Sequence, residues 1–495
     1  MAKSSGAELP ELGVGITYSS AIEPVLEQYP ELFDVVEFEP QTTWIKTRRS
    51  SRPYRVSDSV LEHIAQLPGR KLVHSIGVPV GGTIRPAPDQ LALLRRTIVI
   101  LKPPWASEHL SFNATDQFST GFFLPPRQTS QGVETVGTCI LDLKEALPVP
   151  IAVETGVNYL RQRPDEMPDG AFVAAVVESA DCGILLDLHN VFANAVNGRQ
   201  SVEDFLAQLP IERVWEIHLA GGFEMEGFWL DAHSGVIPDP LLKIAKRVIP
   251  ALPNLKAIVF EIFPSFVPGV GFDAIRAQIE KLHALWELRG RAREIRLPMK
   301  PRESVDSTAG YRISPSAWER TLGALVIGRL PDNDQARELA ADPGVPVVNR
   351  LICEFRASMI VSVLRLTSRL MMLALGTETF RAILEDFWSK TPPQQFASSE
   401  AEAFAMYLAS IDLKLPQLAK ILEFERAVLA TLTDDEPRVT TFEFDPLPLL
   451  RALAEGRLPD IPGRPGQFEI EVTADNVTNI AGLSIDSIQQ TVPYH

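Results

Sequence analysis

Ahead of residue 265 the chain passes through eight short apolar segments, nearly all separated by stretches of helical periodicity, and that alternation leaves few folds open. The segments are LGVGIT (12–17), VVEFE (35–39), KLVHSI (71–76), SEHLSF (107–112), IAVET (151–155), GILLDL (183–188), VWEIHL (214–219) and AIVFEI (257–262). Several are almost wholly apolar rather than alternating, as strands covered on both faces must be. Between them run SAIEPVLEQY, VSDSVLEHIAQL, PDQLALLRRTIVIL, VETVGTCILDLKEAL, GAFVAAVVESA, SVEDFLAQL and DPLLKIAKRVI, and FDAIRAQIEKLHALWELRGRA follows the last strand. SVED opens its helix as a variant of the capping box. Eight strand–helix repeats ending near residue 293 predict an α/β fold, the (β/α)8 barrel. SEHLSF is the least regular strand, being half polar and preceded by Pro103 and Pro104.

At 495 residues the chain exceeds one ordinary core. Residues 298–314 (LPMKPRESVDSTAGYRI) have linker composition. Beyond them NRLICEFRASMIVSVLRLTSRLMMLAL, ETFRAILEDFW, SEAEAFAMYLAS and LPQLAKILEFERAVLATL repeat apolar residues at helical spacing, and RVTTFEF and GQFEIEVT alternate as strands do. The predicted organisation is a barrel over 1–297, a linker over 298–314, and a mainly helical domain with a small β element over 315–495. That second domain holds one histidine, His495, and reads equally as a recognition module or as a dimerisation domain that would make a homodimer.

The formal charge of −16 argues against nucleic acid as a partner, since a phosphate-tracking surface needs a basic stripe. No apolar run is long enough to span a bilayer, and MAKSSGAELPELG lacks the apolar core of a signal peptide, so no membrane partner and a cytoplasmic location are expected. Cys139, Cys182 and Cys353 form neither a CxxC pair nor an even disulfide framework, and read as reduced, buried small hydrophobes rather than nucleophiles.

The polar residues at the strand ends carry the chemistry. Five of the eight histidines finish apolar runs or follow them closely: His74, His109, His189, His218 and His233. Glu154, Asp187, Asp231 and Glu261 obey the same rule. In a parallel barrel the carboxyl ends of the strands converge on one face. Any one of these side chains alone is equally a satisfied buried group. So many uncompensated polar groups together would destabilise a barrel interior unless something joins them. Imidazoles mixed with carboxylates suit zinc, manganese or non-haem iron, and the number of donors exceeds what one tetrahedral ion needs. Glu108 and His109 are adjacent on a strand, so their side chains face opposite ways; His109 is the ligand candidate and Glu108 is left to a salt bridge or a supporting role. Glu216 shares a face with His218, one layer deeper, as a hydrogen-bond partner. Asn190 would supply an amide oxygen or cap the next helix. His63 and His283 lie in helical patterns and stand outside the site.

Read in order, GVGITY, the Glu37 strand, LVHSIGVPVGG, SEHLSF, VETGVNYL, CGILLDLHNVFANAVNG, EIHLAGG, LDAHSG and VFEI resemble the DUF692 family over roughly residues 11–290. These are multinuclear non-haem iron-dependent oxidases that modify ribosomally synthesised peptides, the methanobactin-maturation oxidase being the best-known type. The resemblance implies a TIM barrel with two or three iron ions at its mouth and dioxygen as co-substrate. It implies as ligands His74, His109, Glu154, Asp187, Asn190, His218, Asp231, His233 and Glu261, with His189, Glu216, Glu37 and Glu108 as additional or supporting groups. The implied partner is a precursor peptide, oxidised at cysteine above all, or at aspartate or asparagine. The C-terminal part is similar to the separate partner proteins that deliver precursors to such oxidases. The chain departs from the family pattern in three places: HLAGG replaces HLAGH at Gly222, LLDLHN replaces LLDVNN at His189, and EFEPQT places Gln41 where an acid is common. The exchange at 189 and 222 reads either as mutual compensation, with His189 supplying the imidazole lost at Gly222, or as a changed iron count or substrate. Two other readings stay open: a divalent-metal isomerase, epimerase or hydrolase of the xylose-isomerase-like barrels, and a non-catalytic metal- or peptide-binding scaffold.

Overall fold

Eight parallel strands close into a barrel in the computed structural model, which describes residues 9–47, 53–290, 313–459, 463–484 and 490–491. Residues 298–312 of the expected linker, and His495, lie outside the described residues. The barrel strands are β1 (Gly13–Thr17), β2 (Val35–Phe38), β3 (Arg70–Ser75), β4 (Ala106–His109), β5 (Ile151–Glu154), β6 (Gly183–Asp187), β7 (Val214–Ala220) and β8 (Ala257–Glu261). Neighbours in sequence are neighbours in space throughout, and β8 closes on β1. This is the TIM barrel that the alternation predicts. The strands are buried along nearly their whole length, which is why they read as continuous apolar runs.

The lower barrel is filled by Val35, Leu72, Ala152, Leu185 and Ala257 from the strands, with Trp105 and Trp215. Gly183 makes room for this packing, because a Cβ there would lie 2.4 Å from the Trp215 ring. Two elements differ from the sequence reading. SEHLSF does not continue as one strand: β4 stops at His109, and Phe112–Ala114 is a separate short strand. A helix also begins directly after β6, Leu188–Val196, where Asp187 caps it by accepting the Asn190 N–H at 2.8 Å.

The chain divides into two compact units. The first comprises residues 1–44, 56–117 and 123–348, so the helices Pro315–Val326 and Asp334–Ala340 count with the barrel, whereas the sequence places the boundary at 298–314. Trp318 explains the difference. It is buried, its indole donates to the Pro125 carbonyl at 3.0 Å, and the Arg127 guanidinium lies 5.1 Å from its ring centroid. Glu319 beside it accepts the Thr83 N–H at 2.8 Å. Trp318→Ala should therefore destabilise the barrel unit by about 3–5 kcal/mol, the usual cost of emptying a buried tryptophan site, read as a fall in its denaturation midpoint.

The second unit gathers residues 45–55, 118–122 and 349–495. It is mainly helical, with the small antiparallel sheet expected from RVTTFEF and GQFEIEVT: Arg438–Phe444 pairs with Pro465–Val472, and that strand with Gln490–Thr491. The long apolar run 349–375 is not one helix. It breaks by 109° between Gly344–Val363 and Arg365–Leu375. The Glu425 carboxylate accepts the N–H groups of Leu366 at 2.7 Å and Thr367 at 2.8 Å, satisfying the start of a new helix from a residue far along the chain. No single described helix is long and apolar enough to cross a membrane.

Candidate metal centre

Strand register brings the polar ends together. His109 on β4 pairs with Glu154 on β5, Asp187 on β6 with His218 on β7, and Ala220 on β7 with Glu261 on β8. Side chains alternate along a strand, so registered partners point the same way. His109 Nε2 lies 2.9 Å from Glu154 Oε2, and His74 Nε2 lies 3.4 Å from the same oxygen. The other Glu154 oxygen is 3.8 Å from His218 Nδ1, which is 3.0 Å from Glu261 Oε1. Glu261 Oε2 is 3.3 Å from His233 Nε2, itself 2.8 Å from Asp231 Oδ1. A chain of donors thus crosses the barrel mouth.

Three sets of donor atoms along this chain each fall within 4.8 Å of one another: His74, His109 and Glu154; Glu154, Asp187, His218 and Glu261; and Asp187, Asp231 and His233. Glu154 and Asp187 each belong to two sets. Asn190 lies beside them, donating through Nδ2 to Asp187 Oδ2 at 3.0 Å and leaving its own buried carbonyl oxygen without a partner.

Glu37, Glu216 and His218 form a fourth donor set by the same distance. Glu108 accepts the N–H groups of Val78 at 3.2 Å and His109 at 2.8 Å, and its Oε1 lies 3.5 Å from His109 Nδ1, so it supports that ring rather than facing away from it. Glu37 and Glu216 lie deeper: Glu37 Oε2 is 2.9 Å and Glu216 Oε1 is 3.7 Å from His218 Nε2, and Glu216 also accepts the Trp105 indole N–H at 2.8 Å. His189 contacts Asp231 rather than joining a donor set. Gln41 bonds to the Ser75 hydroxyl at 2.8 Å and the Ile76 N–H at 3.1 Å, serving the β3 turn. His63 pairs with Glu23 at 2.8 Å and His283 with the Leu32 carbonyl at 2.9 Å, both in helices away from the mouth. All three cysteines are free, and burial pushes Cys139 up to about 11 and Cys182 up to about 12.

Sequence reasoning passed over several residues. Glu39, just beyond β2, faces the charges of His74, Glu261, His233 and His109, and burial raises its carboxyl. It obeys the same strand-end rule, closing VVEFE, and that rule would have found it. Ser107 meets His74 Nδ1 at 2.8 Å and the Ser75 carbonyl meets His109 Nδ1 at 3.3 Å, contacts that orient both rings. His233 sits at φ 44°, a left-handed conformation uncommon for a residue with a side chain, which the Gly-bounded DAHSG loop imposes.

The electrostatics suit a cation. Burial pushes the Glu154 carboxyl upward, but the charges of His109 and His74 together outweigh it and hold it well below the usual carboxylate range. Burial opposes charge on His233, yet Asp231 and Glu261 raise it to about 10. Asp187 goes the other way: burial, with Asp231, Glu261 and Glu154 nearby, drives it well above the usual range. Glu37 is raised to about 8 by burial and by Glu216. Most telling are the buried atoms without a hydrogen-bond partner: Glu154 Oε2, Asn190 Oδ1, His218 Nδ1 and Nε2, His233 Nε2 and Glu261 Oε2. His233 Nε2 and Glu261 Oε2 lie 3.3 Å apart without a hydrogen bond between them, and buried atoms of this kind are costly unless a further group joins them. Divalent ions held by nitrogen and oxygen donors would meet that need, so the residues fit a metal centre.

A closed parallel barrel with imidazoles and carboxylates gathered at the carboxyl ends of its strands defines the class: a TIM-barrel protein whose mouth could hold metal ions. The chain belongs to the family of RiPP precursor modification enzymes MbnB/TglH/ChrH, which matches residues 13–264, just over half its length. A UPF0276 protein of Streptomyces avermitilis is 31% identical over 268 residues, 51% of this chain and 54% of that protein. A UPF0276 protein of Chromobacterium violaceum is 34% identical over 177 residues, 36% of this chain and 64% of that protein. The chain therefore spans between about half and two thirds of the length of these relatives. Among solved structures, a xylose isomerase domain protein from Planctomyces limnophilus is similar at a TM-score of 0.37 and 11% identity, over 57% of this chain and 100% of that one. Likeness at that level carries no argument about chemistry.

Proposed function

We propose that the protein is an iron- and dioxygen-dependent oxidase that modifies a residue of a ribosomally synthesised precursor peptide, cysteine above all, with aspartate or asparagine as the other candidates. The observation that carries this reading is the set of buried, unpartnered nitrogen and oxygen atoms crossing the barrel mouth. Two or three iron ions would be held by His74, His109, Glu154, Asp187, Asn190, His218, Asp231, His233 and Glu261. When bound, iron supplies redox chemistry with dioxygen and an open position for a substrate thiolate or carboxylate. The protein's own residues do the rest. Ser107 and the Ser75 carbonyl orient His74 and His109. Glu37 steadies His218 from below. Phe123, stacked on His109 at 4.1 Å, and Phe263, 4.6 Å from the His233 ring, shield two of the imidazoles with apolar surface.

Precursor recognition belongs, in this reading, to the C-terminal part that the sequence places at 315–495, and within it to the second compact unit. Support comes from the strand Arg438–Phe444, which pairs on one side only among the described residues. A groove beside it is lined by Glu423, Arg426, Ala427 and Ala430 of the helix Leu418–Asp434 and by Arg438, Val439 and Thr440. An extended peptide would add to such an edge by main-chain hydrogen bonds.

The test uses the full chain, loaded anaerobically with ferrous iron and mixed with a short Cys-rich or Asp-ended peptide encoded beside its gene. On admitting air, the peptide should change mass, and should not when iron or dioxygen is withheld. A mass change that persists in metal-stripped protein would refute the reading.

A further inference from the structure

His189 and Gly222 share one small volume. A Cβ on Gly222 would lie 2.6 Å from His189 Nε2, 2.6 Å from Trp229 Nε1 and 2.5 Å from the Leu230 carbonyl oxygen, closer than such atoms approach. The imidazole and the indole therefore fill the space that any side chain at 222 would need.

The ring's hydrogen bonds define what it does there. An indole N–H only donates, so Trp229 Nε1, 3.1 Å from His189 Nε2, makes that nitrogen an acceptor. The ring proton then sits on Nδ1, 3.2 Å from Asp231 Oδ1, and donates to it. Both ring nitrogens are engaged, and neither is left for an ion. Trp229 is itself fixed by Asn197, which accepts its backbone N–H at 2.7 Å and donates to its carbonyl at 3.0 Å. Asp231 is tied at its backbone as well, its N–H donating to the Tyr159 hydroxyl at 3.0 Å.

We propose that His189 is a positioning residue for Asp231, holding the carboxylate toward His233 and Asp187, and that glycine at 222 is what admits it. His189 itself is not a ligand, since both of its ring nitrogens are engaged. This rests on the metal-centre reading above.

The test is an anaerobic ferrous titration of the full-length protein and its His189→Asn, His189→Ala and Gly222→Ala variants, read by bound iron per chain and by Mössbauer spectrum. The asparagine amide still donates to Asp231, so His189→Asn should keep the wild-type stoichiometry and spectrum. His189→Ala and Gly222→Ala should each weaken one class of bound ion about tenfold and alter its spectral component alone, as loss of an outer partner does. If His189→Asn loses that ion as fully as His189→Ala, or if His189→Ala matches wild type, the proposal is overturned. Should Gly222→Ala fail to fold, the two His189 variants decide. A wild-type protein that takes up no iron overturns the metal-centre reading itself, and this proposal with it; normal wild-type loading with indifferent variants overturns this proposal alone.

Discussion

Glu154→Gln should abolish tight metal binding, weakening it by more than about a hundredfold. Loss of a group that merely supports a ligand costs about ten- to a hundredfold, and Glu154 stands one step closer. Its Oε2 is within 3.4 Å of both His74 and His109, and its Oε1 reaches toward His218, so it belongs to two of the donor sets at once. Glutamine keeps the shape and removes the charge. The variant should still fold, since the residue ends a strand whose pairing is made by backbone groups. Metal content after anaerobic loading, with circular dichroism to verify folding, checks the expectation. Wild-type metal content in Glu154→Gln would show that the mouth does not bind ions as described.

Metal affinity should also climb steeply with pH between about 6 and 9, by about tenfold per pH unit for each proton displaced. In the metal-free protein the imidazoles are surrounded by carboxylates. Burial opposes their charge, yet Glu154 raises His74, and Glu261 and Glu37 raise His218 well above the ordinary histidine range. His233 is raised to about 10. A group with a raised pKa keeps its proton through neutrality, and a ligand must lose that proton to bind. Asp187, also raised, adds to the release. Glu154, Asp231 and Glu261 are lowered and already ionised, so they contribute none. The sign is therefore fixed: binding releases protons and strengthens as pH rises. Proton release on adding ferrous or zinc ions to weakly buffered metal-free protein near pH 7 measures it. Affinity flat over that range would contradict these electrostatics.

The barrel was legible because its strands are buried on both faces, which leaves unbroken apolar runs such as GILLDL and AIVFEI in the sequence. The convergence of strand ends was legible for the same reason, since the topology dictates it. What was not legible depended on contacts distant in sequence. Glu425 breaks the apolar run 349–375 into two helices from some 60 residues further on. Trp318 ties a helix beyond the linker to Pro125. Residues 45–55 and 118–122, interruptions in the barrel's pattern, count with the second unit, where Arg55 binds the Leu432 carbonyl and Asp435 and Tyr54 packs on Phe396. The helix Leu188–Val196 was hidden because the apolar run GILLDL carried the strand through Leu188, leaving Asn190 to cap a helix further on. Gly222 looked like a lost ligand, and only three dimensions show His189 and Trp229 occupying its side-chain space.

The proposed function requires that the strand ends hold a multinuclear iron centre. Elemental analysis with Mössbauer spectroscopy on full-length protein purified without oxygen tests it most directly. Two or more iron ions per chain are expected, with signals of imidazole and carboxylate ligation that disappear in His74→Ala, His109→Ala and His218→Ala. Stoichiometric zinc or manganese in place of iron would contradict it, as would a protein that binds no metal and tolerates all three substitutions.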